Sequence, residues 1–266
     1  MSVAVAVAVA LAVLASGSGG ATKTEPTAPT ALIGTWDVET VEADRQDQVH
    51  WDIHPGDPRL LGRTLEISRV SASFAPEIDR CAQGSWPSLT APWEELFTRG
   101  FSRAPMGGRS AHPKPADFGF KPPNGEAATA YLLCPGKTKA DQWLVSTWIA
   151  PSSPDTLIMH RDAQVLLVLI RRAANARPRA SFPCDKASTP TETAICQGFD
   201  LAGWDRSVAA AYRKAVSRNP DQGGKLRGEQ QAWLKKRDAC AANSRCLEDT
   251  MRDRTDDLLR QADYAP

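Results

Sequence analysis

No two cysteines of this chain stand two residues apart, and none of its four histidines (His50, His54, His112, His160) lies among the cysteines of the last third, so the spacing does not suit zinc. A dominant charge sign is missing too: 32 basic residues meet 31 acidic ones, for a formal net charge of +1. The balance holds on both sides of Ser181, with 14 basic and 13 acidic side chains after it. This argues against nucleic acid, whose phosphates are usually met by a concentrated basic face. The apolar run from Val3 to Ala15 covers 13 residues, short of the ~20 that a membrane-spanning helix needs. Catalytic motifs are also absent. Gly107-Gly108-Arg109-Ser110-Ala111-His112 holds a Ser and a His but no nucleophile elbow, and Cys134-Pro135-Gly136-Lys137-Thr138 lacks the first glycine of a phosphate loop.

What is present begins with that apolar run, which dissolves into Ser16-Gly17-Ser18-Gly19-Gly20-Ala21, small residues of the kind a signal peptidase accepts. Residues 1–21 are expected to be a secretion signal, although no Lys or Arg precedes the run. No Cys follows Leu14-Ala15-Ser16-Gly17, as a lipid anchor would require. Export agrees with six cysteines, because disulfides persist outside the reducing cytosol. The expected bridges are Cys81 with Cys134, Cys184 with Cys196, and Cys240 with Cys246. The expected location is periplasmic or secreted.

Residues 22–31 read as a flexible tether, and 32–171 as a β-rich, barrel-like domain. In Leu32-Ile33-Gly34-Thr35-Trp36-Asp37-Val38-Glu39-Thr40, the residues Trp36, Val38 and Thr40 alternate with polar ones, the period of a half-buried strand. The Gly-x-Trp opening is weakly similar to lipocalin-like barrels. Further strands are expected at 63–70, 128–134, 143–150, 156–160 and 165–171. The last two form a hairpin with Leu157, Met159, Val165, Leu167 and Leu169 facing inward. Between Ala75 and Pro123 an irregular excursion is expected, broken only by a short helix at Trp93–Phe97. There Trp86 and Trp93, with Trp51, would line a ligand-binding mouth if the barrel is open. Residues 172–180 form a basic linker.

From Ser181 the grammar turns helical. Thr189-Pro190-Thr191-Glu192 offers a hydroxyl cap, a first-turn proline and a reciprocal Glu, and the brief helix it opens reaches Cys196 with Gly198 to end it. Asp200 is expected to cap a second helix, which Asn219-Pro220 stops. A third, from about Lys225 to Cys240, sets Leu226, Trp233 and Cys240 on one narrow apolar seam, a helix made to pack against others. A fourth carries Cys246, Leu247, Met251, Leu258 and Leu259. The fold class is thus α+β: an antiparallel barrel-like domain followed by a small, disulfide-stapled helical bundle.

The order Phe182-x-Cys184, Ala187, Thr191-Glu192, Ala194-Ile195-Cys196, Leu201, Asp205, Tyr212, Glu229-Gln230-x-x-Trp233-Leu234-x-x-Arg237-Asp238-x-Cys240, Cys246-Leu247 and Arg254 resembles the LprI-type domain of bacterial exported proteins. The resemblance covers roughly Ser181 to Leu259, within a helical domain taken as 181–266, and departs at Met251, where an aromatic residue is common. It implies an extracytoplasmic helical domain with two disulfides, and it raises lysozyme inhibition as the function.

Lysozyme works with two carboxyl groups in a cleft, so a protein inhibitor presents cationic or hydroxyl groups to them. The candidates are Lys235, Lys236 and Arg237 with the loop Asn243-Ser244-Arg245. The plainer reading makes the two lysines the solvated face of an amphipathic helix and has Arg237 pair with an acid inside the bundle. A near-neutral domain also lacks the acidic field that steers a partner toward a basic lysozyme. The alternative is a small-ligand or envelope scaffold module. No catalytic residue, metal or cofactor is implied; His50 and His54 sit four apart, but Pro55, Gly56 and Pro58 follow at once and make the setting a loop.

Overall fold

The computed structural model describes residues 27–46, 53–75, 79–101, 112–135, 148–162 and 165–263. The expected secretion signal, Trp51 with His50, the 107–111 loop and the start of the strand expected at Trp143 lie outside these residues.

The first strand, β1 (Gly34–Ala43), buries Trp36 and Val38 as its alternation requires, but then a bulge between Val38 and Thr40 inserts one residue and turns the pattern over. Val41 and Ala43 are therefore buried, and Thr40, expected inside, is exposed. Eight further strands follow: β2 (Thr64–Ile67), β3 (Ala72–Ala75), β4 (Asp79–Cys81), β5 (Ser88–Pro92), β6 (Glu126–Tyr131), β7 (Trp148–Ser153), β8 (Thr156–Asp162) and β9 (Val165–Arg171). All pair antiparallel in the order β4-β3-β2-β1-β9-β8-β7-β6-β5. The sheet curls into a half-barrel whose edge strands are β4 and β5. Ser85, ahead of β5, forms a two-way backbone bridge with Leu133, just past β6, at 3.0 Å each way, continuing the β5–β6 ladder in the same register. The Cys81–Cys134 disulfide ties the end of β4 to the chain just past β6, with Cα atoms 5.8 Å apart.

Inside the curl lies one continuous core. Leu157, Met159, Val165, Leu167 and Leu169 point into it as expected, with Trp36, Leu65, Phe74, Trp86 and Leu132. The opposite face of β5 to β9 is covered by α1 (Trp93–Gly100) and a short turn at Pro115–Phe118, so Ile158 and Leu166 are buried as well. Two expectations fail here. The 75–123 segment is not one irregular excursion, since beside the expected helix, α1, it contributes β4 and β5; short strands dense in Pro and Ser carry little period-2 signal. Trp86 and Trp93 do not line a mouth, because they are 1% and 4% exposed in the two cores. At the bottom of the curl, Trp36 Nε1 donates to the Leu32 carbonyl at 2.9 Å and the Arg171 guanidinium lies 4.0 Å from the ring centre.

Four helices complete the chain: α2 (Pro190–Gln197), α3 (Phe199–Arg218), α4 (Gly223–Asp238) and α5 (Ser244–Asp263). The Thr189 hydroxyl accepts the Glu192 N–H at 3.1 Å and Glu192 Oε2 accepts the Thr189 N–H at 3.1 Å, the reciprocal cap read from the sequence. Asp200 does not cap α3. That helix starts one residue earlier behind Gly198, and Asp200 sits in its first turn beside Thr64 Oγ1, at 3.5 Å. The centre of the bundle is the α3–α5 pair, whose Ala202, Ala211, Ala215, Leu247, Met251 and Leu258 are fully buried. Helix α4 is the outer member, fully burying only Leu226 and Arg237 along its length while Trp233 packs against the core. Disulfides Cys184–Cys196 and Cys240–Cys246 staple the two ends.

Sheet and bundle meet at a dry contact. Gly62, in a left-handed turn at φ +70°, abuts Gly203 of α3, where an added Cβ would stand 2.7 Å from the Gly62 carbonyl oxygen. Next to it Arg63 is 1% exposed, donates to Ser207 Oγ at 2.8 Å and to the Leu61 carbonyl at 3.1 Å, and lies 3.7 Å from the Trp204 ring centre. Burial pulls its pKa down to about 9, with Asp200 opposing.

Candidate partner-binding site

The expected contact residues all fall on the α4–α5 corner. Lys235 and Lys236 occupy the last turn of α4, where a cation also complements the helix dipole, and both are exposed. Asn243, Ser244 and Arg245 sit on the α5 side of the turn and are likewise exposed. Arg237 points the other way. It is 7% exposed, 3.7 Å from Asp205 and 2.8 Å from Asp238, and the second Asp205 oxygen accepts the Ser181 N–H at 2.6 Å. The Arg237–Asp205 pair ties α4 to α3 inside the bundle, as the plainer reading has it, and removes Arg237 from the contact candidates.

The corner is held rigidly. Asn243 Oδ1 accepts the Cys246 N–H at 3.0 Å, so this side chain caps α5 and leaves only its amide nitrogen for a partner. Ala241 adopts φ +49°, unusual for a residue with a Cβ, and is fixed from two sides. Its carbonyl accepts Thr191 Oγ1 of α2 at 3.0 Å, and the Cys240–Cys246 bridge closes the turn around it. Thr191 is 1% exposed; its place in the capping segment and in the LprI-type pattern marks it, but neither assigns it this role. Chemically the corner offers two ammonium groups, one guanidinium and one hydroxyl on a pre-organised turn. It has no nucleophile paired with a base.

The residues that carry the LprI-type pattern have structural partners. Trp233 Nε1 reaches the Thr250 carbonyl at 3.4 Å, Arg254 Nε donates to Gln230 Oε1 at 3.0 Å, and Gln261 bonds Glu229 at 3.4 Å. Burial lowers the Arg254 pKa, against the charges of Glu229 and Asp257. Among the described residues no group of three or more His, Cys, Asp or Glu side chains is placed to hold a metal, and no helix is long and apolar enough to cross a membrane.

Neither the curated proteins nor the solved structures contain a match to this chain. A family model does match, over residues 184–258, from the first cysteine of the bundle to the last turns of α5. The C-terminal third of the chain is similar to the family described as Lysozyme inhibitor LprI.

Proposed function

We propose that this is an exported binding protein, periplasmic or secreted, that inhibits lysozyme by direct contact through the α4–α5 corner. The observation that carries the reading is the corner itself: Lys235, Lys236, Ser244 and Arg245 stand exposed on a turn locked by Cys240–Cys246 and Thr191. It lies within the segment that matches the inhibitor family. Lysozyme's two cleft carboxyl groups are natural acceptors for ammonium and guanidinium donors, and a pre-ordered turn loses little entropy on insertion. Inhibition then needs no bond to form or break; the corner occupies the place of the sugar. Three disulfides fit an oxidising compartment outside the cytosol.

The test is calorimetric titration of the full chain with c-type lysozyme, beside a turbidity assay of cell-wall lysis. The parent is expected to bind and to suppress lysis. The variant Lys235→Glu/Lys236→Glu/Arg245→Glu is expected to lose at least about 2 kcal/mol, more than tenfold in Kd. Equal affinity in the variant removes the corner as the site, and no heat with the parent removes lysozyme as the partner.

A further inference from the structure

The outer face of the sheet carries two covers, and a groove of about 290 Å³ lies at the margin of one of them. Helix α3 covers β1 and β2, while α1 and the Pro115–Phe118 turn cover the β5 to β9 side. At the end of β9, paired with Asp37 of β1, Ile170 is left 39% exposed. It forms one apolar wall of the groove, and Phe199, at the start of α3, forms another.

The residues between Arg172 and Ala180 run along this groove. Arg172 is neutralised, since it pairs with Asp37, bonds Thr64 Oγ1 at 2.7 Å and lies 3.7 Å from the Phe199 ring centre. The other cations are left with one acid. Arg179 lies 4.0 Å from Glu39, Arg206 donates a hydrogen bond to the Arg179 carbonyl, and Arg177 is exposed. Arg171 adds no free donor, because its guanidinium lies on the Trp36 ring and bonds the Ile33 and Ala31 carbonyls. Burial lowers the Arg206 pKa first and the neighbouring Arg179 charge lowers it further, only partly offset by Asp37, Glu39 and Asp205. A dianion placed among these guanidiniums reverses that repulsion, whereas a single carboxylate leaves a cation in excess.

We infer that this groove binds a phosphate-bearing ligand, with the phosphate held by Arg177, Arg179 and Arg206 and its organic part resting on Ile170 and Phe199. Planar guanidinium forks match phosphate oxygens two at a time, and the apolar walls exclude water from one side of the contact. The site belongs to the junction of sheet and bundle. It is independent of the α4–α5 corner, so either proposal stands or falls alone.

The probe is inorganic phosphate, titrated calorimetrically into the full chain at low ionic strength against sodium chloride of matched ionic strength. Saturable phosphate binding is expected, weakened at least about tenfold in Arg177→Ala/Arg179→Ala and unchanged in Lys235→Ala/Lys236→Ala. Circular dichroism checks that the double variant folds; if it does not, Arg177→Glu, on an exposed side chain, is expected to weaken binding in its place. Sedimentation with vesicles of phosphatidylcholine and phosphatidic acid, a phosphomonoester lipid, in equal amounts separates the sources. Pelleting that the double variant loses identifies a lipid headgroup, and phosphate binding without pelleting identifies a soluble phosphate ester. No saturable heat above chloride, or the same affinity in the double variant, overturns the inference.

Discussion

Gly203 and Gly228 both lie inside helices, and the same substitution at each is expected to change stability in opposite directions. In an exposed helix Gly→Ala stabilises by about 0.5–1 kcal/mol, since alanine has less backbone freedom to lose. At Gly228 of α4 an added Cβ meets nothing within 4 Å, so Gly228→Ala is expected to show that gain in full. At Gly203 the Cβ would stand 2.7 Å from the Gly62 carbonyl oxygen and 3.3 Å from Arg63 Nη2. The nearest atom is backbone, in a turn already committed to φ +70°, so α3 must withdraw from the sheet by several tenths of an ångström. Withdrawal loosens the Arg63 contact with Trp204 and stretches the 2.8 Å bond to Ser207, a buried charge contact worth roughly 1.5–3 kcal/mol. Overpacking typically costs about 1–3 kcal/mol, which exceeds the helical gain. Gly203→Ala is therefore expected to be net destabilising by about 1–2 kcal/mol. Urea unfolding with disulfides intact, followed by tryptophan fluorescence, reads both variants, and Trp204 itself reports the junction. If Gly203→Ala matches Gly228→Ala in sign, the two halves are not packed through Gly62 and Gly203, and the reasoning fails.

Two more predictions concern the staples and the first cap. Cys81–Cys134 closes 53 residues of chain and Cys240–Cys246 only 6, so loop entropy makes replacing the first pair by alanines cost about 4 kcal/mol and the second about 2 kcal/mol; denaturant midpoints of the two double variants in the reverse order would contradict this. Glu192 is held below its usual pKa by the Ser188 and then the Thr189 backbone N–H groups. Its folded pKa is depressed, so the stability it gives is present above about pH 4.5 and is lost as pH falls through the folded value. Acid unfolding monitored by circular dichroism is expected to show a smaller loss over that range in Glu192→Gln, and an unchanged profile refutes the cap as the cause.

The parts of the fold legible in sequence were those with a regular period or a local chemical rule. The β8–β9 hairpin was readable because Leu157, Met159, Val165, Leu167 and Leu169 alternate cleanly, and α2 because Thr189 and Glu192 are three residues apart. What failed needed information from elsewhere in the chain. Thr40 turned outward because a bulge shifted the phase after Val38, and no residue type announces a bulge. Strands β3 to β5 stayed hidden because they are short and are held by neighbours and by Cys81–Cys134. The seam of α4 was real, yet its amphipathic period did not reveal that α3 and α5 take the centre. At the candidate site, exposure of Lys235, Lys236 and Arg245 followed from helix phase. The support from Thr191 and the αL turn at Ala241 did not, because both depend on α2 lying against that corner. The residues from Arg172 to Ala180 read as a bare linker because an arginine run has no period; its partners Asp37, Glu39 and Arg206 are distant in sequence.

The Cys81–Cys134 bond bears on how this protein must be made. An antiparallel sheet exposes a row of unpaired N–H and C=O groups at each end, a template on which another chain can add a strand. Here the ends are β4, of three residues, and β5, of five, and the Cys81–Cys134 bond holds β4 against the continuation of β6. While those thiols are reduced, no covalent bond holds β4 to the far side of the half-barrel, and its edge can swing away beside the apolar strands of the interior. Oxidation is then a protection against self-association as much as a source of stability. A chain kept in a reducing compartment would be lost to aggregates sooner than to unfolding.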